Sequence, residues 1–256
     1  MPLGKTSSSM PRPRRVRYRA LCAAAVLLGL FFTILAAVSV QSEPNIPFDR
    51  YGHVLFTQGS PDAATKIEVY LDPACSDCAL TWPVLSQVAE AYGHQAEFLY
   101  RLFPLPYHRN AFTAAKAARV VRLFTNSAYS DGDDEIASFL TAVFDGQDRI
   151  SNDATEDMTQ NEIEAILAEW ATSAASLSID AFDMGMADPE IDMQTRSQFK
   201  YGCLHGVFGT PQVFIGGVLA GDLDGEATFQ DWQDVLKPLL GGGTAKLKRR
   251  ADLSVV

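Results

Sequence analysis

The sequence predicts an α/β domain: a mixed β-sheet flanked by helices. Three observations carry this expectation. Lys66 to Leu71 is a strand rich in β-branched and aromatic residues. It leads through Asp72-Pro73-Ala74 into Cys75-Ser76-Asp77-Cys78 and a helical pattern with Leu80, Val84, Leu85 and Val88 on one face. Ala96 to Phe103 is a second apolar run, so strand, helix and strand form a parallel βαβ unit. Far downstream, Gly216-Gly217 sits between Gln212–Ile215 and Val218–Ala220, which is a hairpin signal.

Taken in order, the chain opens on a basic leader. Residues 1–20 carry five Arg and one Lys and no acid. Leu21 to Val40 is twenty residues without a charge. At about 1.5 Å per residue such a helix spans roughly 30 Å, the thickness of a bilayer core. The run is expected to be a transmembrane signal anchor, or else a cleaved signal peptide with Ala37-Val38-Ser39 as small residues. The Arg cluster before it predicts a cytoplasmic N-terminus. The remainder then lies in the secretory pathway or on the extracytoplasmic side of a membrane, where disulfides persist.

Residues 41–49 read as a linker, with Pro44 and Pro47. The domain proper is expected over 50–243. Val54 to Phe56 is a short first strand, followed by a turn at Gly59-Ser60-Pro61-Asp62. Pro104 and Pro106 end the strand at 96–103. The helical insertion is expected over about 107–203, with helices near 110–124, 133–144, 162–171, 180–186 and 190–201. Asp145 to Asp157 reads as an acidic loop. Phe229 to Leu240 is a last amphipathic helix, stopped by Gly241-Gly242-Gly243. Residues 244–256 are expected to form a mobile tail.

The formal charge is −10 with basic residues concentrated at the two ends, so the region between is strongly acidic. That excludes nucleic acid as a partner on electrostatic grounds. Of four cysteines, Cys22 lies in the apolar run, leaving Cys75, Cys78 and Cys203. Three are too few for a disulfide scaffold. The Cys-x-x-Cys admits three readings: a redox pair, a structural disulfide, or half of a zinc site completed by Cys203 and His205. At the start of a helix, free N–H groups and the helix dipole favour a thiolate at Cys75.

These residues resemble the thioredoxin superfamily. The resemblance rests on strand, Cys-x-x-Cys and helix; on Pro83, five residues after Cys78; and on Gly209-Thr210-Pro211-Gln212, which looks like the family's cis-proline loop. The long helical stretch between Pro83 and Pro211 is similar to the insertion of the disulfide oxidoreductase DsbA. The likeness covers roughly 50–241. It implies a thiol–disulfide oxidoreductase acting on polypeptide thiols and disulfides together with a redox partner, and it requires no cofactor. Cys75 is then the nucleophile and Cys78 the resolving thiol. Pro211 faces them, and Thr210 with Gly209 offers backbone to an extended substrate. Ser76 and Asp77 flank the substrate between the cysteines.

Asp72 resembles an acidic position of DsbA-like proteins and is a candidate to take a proton from Cys78, with Glu68 on the same strand as a rival. His108 and His205 are possible groove residues. Trp82, Trp232 and Cys203 read as buried packing. DsbA carries histidine where this chain has Asp77. The Cys75 pKa is therefore expected nearer thioredoxin's, about 7, than DsbA's, about 3.5, and the pair is expected to be a weaker oxidant. A function of another class stays open: a peptide-binding or holdase module whose Cys pair is structural.

Overall fold

Five strands and seven helices make up the described part of a computed structural model, residues 54–125 and 133–241. The strands are β1 (Phe56–Gly59), β2 (Thr65–Leu71), β3 (Ala96–Leu102), β4 (Gln212–Ile215) and β5 (Val218–Leu219). The helices are α1 (Ser76–Tyr92), α2 (Ala111–Thr125), α3 (Asp133–Asp145), α4 (Gln160–Ala175), α5 (Ile179–Ala187), α6 (Pro189–Leu204) and α7 (Phe229–Leu240). The sheet order is β1-β3-β2-β4-β5. Only β2 and β3 run parallel, from Thr65↔Ala96 to Leu71↔Leu102; β1 on β3, β4 on β2 and β5 on β4 are antiparallel. The mixed sheet with its helical insertion is the fold the sequence predicts.

Alternation along the central strands sorts residues onto two faces, because successive side chains in a strand point oppositely. Ile67, Val69 and Leu71 of β2, with Phe98, Tyr100 and Leu102 of β3, enter the main core. There they meet Trp82, Leu85 and Val88 of α1 and Trp232 and Leu236 of α7. The α2, α3 and α4 helices extend the same core through Val120, Phe139 and Leu167. The opposite face carries Tyr70 and Phe103, packed with Leu105, Tyr201 and Val207 in a smaller cluster. Trp82 and Trp232 are core residues, as expected; Trp82 also donates from Nε1 to the Thr141 hydroxyl at 2.8 Å.

Local signals set the element ends. Thr159 and Thr228 cap α4 and α7, and each exchanges hydrogen bonds with the acid three residues on. Gly216 and Gly217 have φ of +57° and +78°, the left-handed pair that a tight hairpin turn requires. Two expectations shift. The first strand is Phe56–Gly59 rather than Val54 to Phe56, because its register is fixed by pairing with Glu97–Tyr100. The acidic stretch 145–157 is not all loop: Gln147–Ile150 forms a 3-10 turn that buries Ile150.

The expected membrane attachment is corrected. No helix among the described residues is long and apolar enough to cross a membrane. The longest of them, α1, has 17 residues and carries Asp77 and Glu90, whereas a span needs about 20 predominantly apolar residues. The anchor or signal reading of residues 21–40, the single-pass topology and the compartment drawn from it thus find no support in the described structure. Residues 1–20, 21–40, 41–49 and 244–256 lie outside the described residues.

Candidate active site

Both cysteines sit where the parallel strands end. Cys75 is the residue that precedes α1, in extended conformation, and its carbonyl accepts from Ala79 N–H at 3.1 Å. Cys78 lies in the first turn. Both are free thiols, yet their surroundings differ: Cys75 is 6% exposed and Cys78 is 0% exposed. Across from them the Thr210–Pro211 peptide is cis, and the Thr210 carbonyl accepts from the Cys75 thiol at 3.3 Å.

The two sulfurs are driven apart electrostatically. A hydrogen bond from the Cys78 thiol is the largest influence on Cys75 and lowers its pKa to about 6. Burial opposes this; the Thr210 side chain and the backbone N–H groups of Cys78 and Asp77 at the helix start assist it. Cys78 is pushed the other way, chiefly by burial and then by its hydrogen bond to Cys75. One sulfur is poised as a thiolate and the other is kept as a thiol. A value near 6 is close to the expected region, but its leading cause is the partner thiol.

Asp72 is the hub of the site. Its backbone N–H donates to Cys78 Sγ at 3.4 Å, and its carbonyl accepts from Cys75 N–H at 3.1 Å. Its carboxyl is wholly buried and accepts from Ala74 N–H at 2.8 Å and from Leu105 N–H at 3.0 Å. His108 Nδ1 lies 2.7 Å from Asp72 Oδ2. Burial raises the Asp72 pKa, and these hydrogen bonds counter the rise. Glu68, the rival acid, is occupied elsewhere: its Oε2 accepts from Arg101 Nε at 2.8 Å.

Ser76 and Asp77 are exposed on the first turn of α1. Asp77 packs against Gly225, where an added Cβ would fall 2.6 Å from the Asp77 Cβ. The Thr81 hydroxyl holds that loop by the Asp224 and Gly225 carbonyls, at 3.4 and 3.2 Å. Beside the cis peptide runs a groove of about 240 Å³ lined by Phe208, Gly209, Thr210, Pro211, Leu219 and Leu223 among others. Phe208 is 79% exposed at its rim.

The chain matches the family model described as thioredoxin over residues 53–237. It belongs to the thioredoxin family. Among solved structures it is similar to Chlamydia trachomatis DsbA, at 17% identity and a TM-score of 0.59, covering 74% of this chain and 93% of that one. It is similar to Bacillus subtilis BdbD in its oxidised form, at 15% identity and TM-score 0.56, covering 73% and 92%. It is also similar to Wolbachia pipientis alpha-DsbA1, at 20% identity and TM-score 0.54, covering 73% and 90%. At these identities the likeness shows the DsbA-like thioredoxin fold. No curated protein matches the chain.

Within this thioredoxin-family site the structure gathers Cys75, Cys78, Asp72, Thr210 and Pro211. His108 joins them, while His205 does not: it stacks on Tyr201 and its Nδ1 lies 2.9 Å from the Tyr201 carbonyl. Cys203 is exposed near the end of α6 rather than buried as expected, since the last turn of α6 turns it toward solvent. No cluster of His, Cys, Asp and Glu able to hold a metal forms among the described residues, so Cys203 and His205 do not complete a set with the Cys pair.

Gln147 is a site residue the sequence did not suggest. Its side-chain amide donates to the Pro73 and Cys75 carbonyls at 2.9 and 3.0 Å. The inserted subdomain thereby holds the segment that carries Cys75. Nothing in the local sequence marks it. His108 comes close to Asp72 because β2 and β3 end in register at Leu71↔Leu102, which sets the segments that follow them side by side.

Proposed function

We propose that the chain is a thiol–disulfide oxidoreductase that exchanges disulfides with polypeptide substrates, the DsbA-like domain of about residues 50–243 being the working unit. The observation that carries this reading is the asymmetry of the pair: Cys75 lowered to about 6 at a helix start, Cys78 wholly buried and held as a thiol. A structural disulfide has no need of one activated sulfur.

In the reductive direction the Cys75 thiolate attacks one sulfur of a substrate disulfide. A Cys75–substrate disulfide forms and the other substrate sulfur leaves as thiolate. Cys78 then loses its proton and attacks Cys75 Sγ. The Cys75–Cys78 bond forms, the substrate leaves as its second thiolate, and two electrons have passed from the pair to the substrate. Run backwards, the same steps oxidise a substrate dithiol. Thr210 and Gly209 offer backbone to an extended polypeptide beside the reacting sulfur. Pro211 closes that side of the site, and Ser76 and Asp77 border it. Asp72 serves the Cys78 proton.

Turnover tests the reading. The oxidised protein is expected to oxidise a dithiol peptide, or the reduced protein to reduce a disulfide peptide, at rates well above free dithiothreitol or glutathione at equal concentration. Binding of extended peptide without any change in its thiol count would instead identify a peptide-binding module.

A further inference from the structure

Exchange at a buried sulfur raises a proton problem. When Cys75 is bound to substrate its sulfur is no longer a base, so it cannot take the proton that Cys78 must lose. Cys78 is 0% exposed, so its sulfur does not meet the surface. Asp72, whose backbone N–H donates to Cys78 Sγ at 3.4 Å, is the neighbouring acid and is equally buried, and two of the three groups on its carboxyl are backbone N–H groups that cannot carry a proton away. The third is His108. Its side chain is 23% exposed, and its Nδ1 stands 2.7 Å from Asp72 Oδ2.

We propose that His108 is the proton port of the site, a positioning residue that acts on Cys78 through Asp72. The inference rests on the exchange reading above and deepens it. In the resolving step Cys78 Sγ–H passes its proton to the Asp72 carboxylate, and Cys78 attacks Cys75 as thiolate. Asp72 passes the proton from Oδ2 to His108 Nδ1. The resulting imidazolium releases a proton from Nε2 to water, which restores neutral imidazole. In the oxidative direction the same groups run in reverse and protonate Cys78 as it leaves the disulfide.

The titratable groups that face the ring are few. Asp72 lies at Nδ1, and the Tyr107 ring meets the imidazole edge-on at 4.8 Å between centroids. Burial and then the charges of Cys75, Asp72, Asp77 and Cys78 raise the Tyr107 pKa, so the Tyr107 ring stands in the field of the same groups. His108 is also fixed by its backbone: its N–H donates to the Leu105 carbonyl at 3.2 Å, and its carbonyl accepts from Ala111 N–H at 3.1 Å. The ring is thus held at the junction of β3 and α2 with one nitrogen inward.

The test isolates the resolving step. In the full chain carrying Cys22→Ser and Cys203→Ser, which leaves Cys75 and Cys78 as its thiols, Cys75 is converted to its mixed disulfide with thionitrobenzoate. Release of the coloured thiolate by Cys78 is followed by stopped flow from pH 5 to 9. The His108→Gln chain is expected to resolve at least about tenfold more slowly at neutral pH, the lower end of general acid–base effects being about a hundredfold. It should also lose an inflection of the wild-type pH profile, and added imidazole should restore part of the rate. An unchanged rate and profile would overturn the port. So would a slowing that is uniform in pH and not relieved by imidazole, since that marks a structural role alone. If the His108-containing protein itself releases no thionitrobenzoate, the exchange reading fails and the port with it. Release by that protein with an indifferent His108→Gln sinks the port alone.

Discussion

Cys75→Ser is expected to abolish disulfide exchange, leaving no more than the uncatalysed background, while Cys203→Ser leaves the rate unchanged. The chemistry dictates the contrast. A hydroxyl at position 75 keeps the helix-start N–H groups and the Thr210 carbonyl but supplies no sulfur to form a mixed disulfide. Cys203 has a more accessible thiol, yet it sits near the end of α6 with none of the groups that favour an anion at Cys75. Exposure alone would choose Cys203; electrostatics choose Cys75. Exchange of a dithiol peptide, read by thiol count, measures all three proteins. Activity that survives Cys75→Ser and disappears in Cys203→Ser would reverse the assignment.

The second large effect is on the thiolate itself. Absorbance titration of the reduced protein is expected to show a single low midpoint near pH 6 from Cys75. Cys78→Ala should raise that midpoint to about 7–8. The lost interaction is a hydrogen bond to a charged group, worth about 1.5–3 kcal/mol, which is roughly one to two pH units at about 1.4 kcal/mol each.

The sign of the stability effect follows. The folded pKa lies below the ordinary thiol value, so the reduced form gains stability at alkaline pH and loses it as the pH falls through 6. The reduction potential of the pair should accordingly fall less steeply with pH above 6 than below it. Asp77→His should move the midpoint lower still, because it replaces a carboxylate on the first turn of α1 with a group that is cationic in that range. An unchanged midpoint in Cys78→Ala would show that the helix start, not the partner thiol, sets the Cys75 acidity.

The sequence was most informative where signals are local. A strand that alternates, a Cys-x-x-Cys at its end and a helix beyond Pro73 are written in consecutive residues, and the βαβ rule then orients β3. Gly216-Gly217 gives the hairpin because both residues must adopt positive φ. The link between Thr210–Pro211 and the cysteines was legible only through family resemblance, since 135 residues separate Cys75 from Thr210. His108 and Gln147 show where reading stops. Asp72 and His108 are 36 apart, and Gln147 is 72 from Cys75; a lone His and a Gln in an acidic stretch carry no mark of their partners. Glu68 and Asp72 looked equivalent along the chain. Arg101, across the β2–β3 ladder, takes Glu68, and the backbone turn after β2 takes Asp72. Cys203 was misplaced because an apolar residue type says nothing about which side of the final turn of α6 it occupies.

The central claim, that Cys75 attacks and Cys78 resolves, is tested most directly by trapping. Cys78→Ser protein in a Cys22→Ser, Cys203→Ser background is incubated with a disulfide-bonded peptide, and the products are mapped by mass spectrometry. The account predicts a persistent one-to-one mixed disulfide on Cys75, absent from the protein that retains Cys78. No adduct at Cys75, or an adduct that clears as fast without Cys78 as with it, would contradict it.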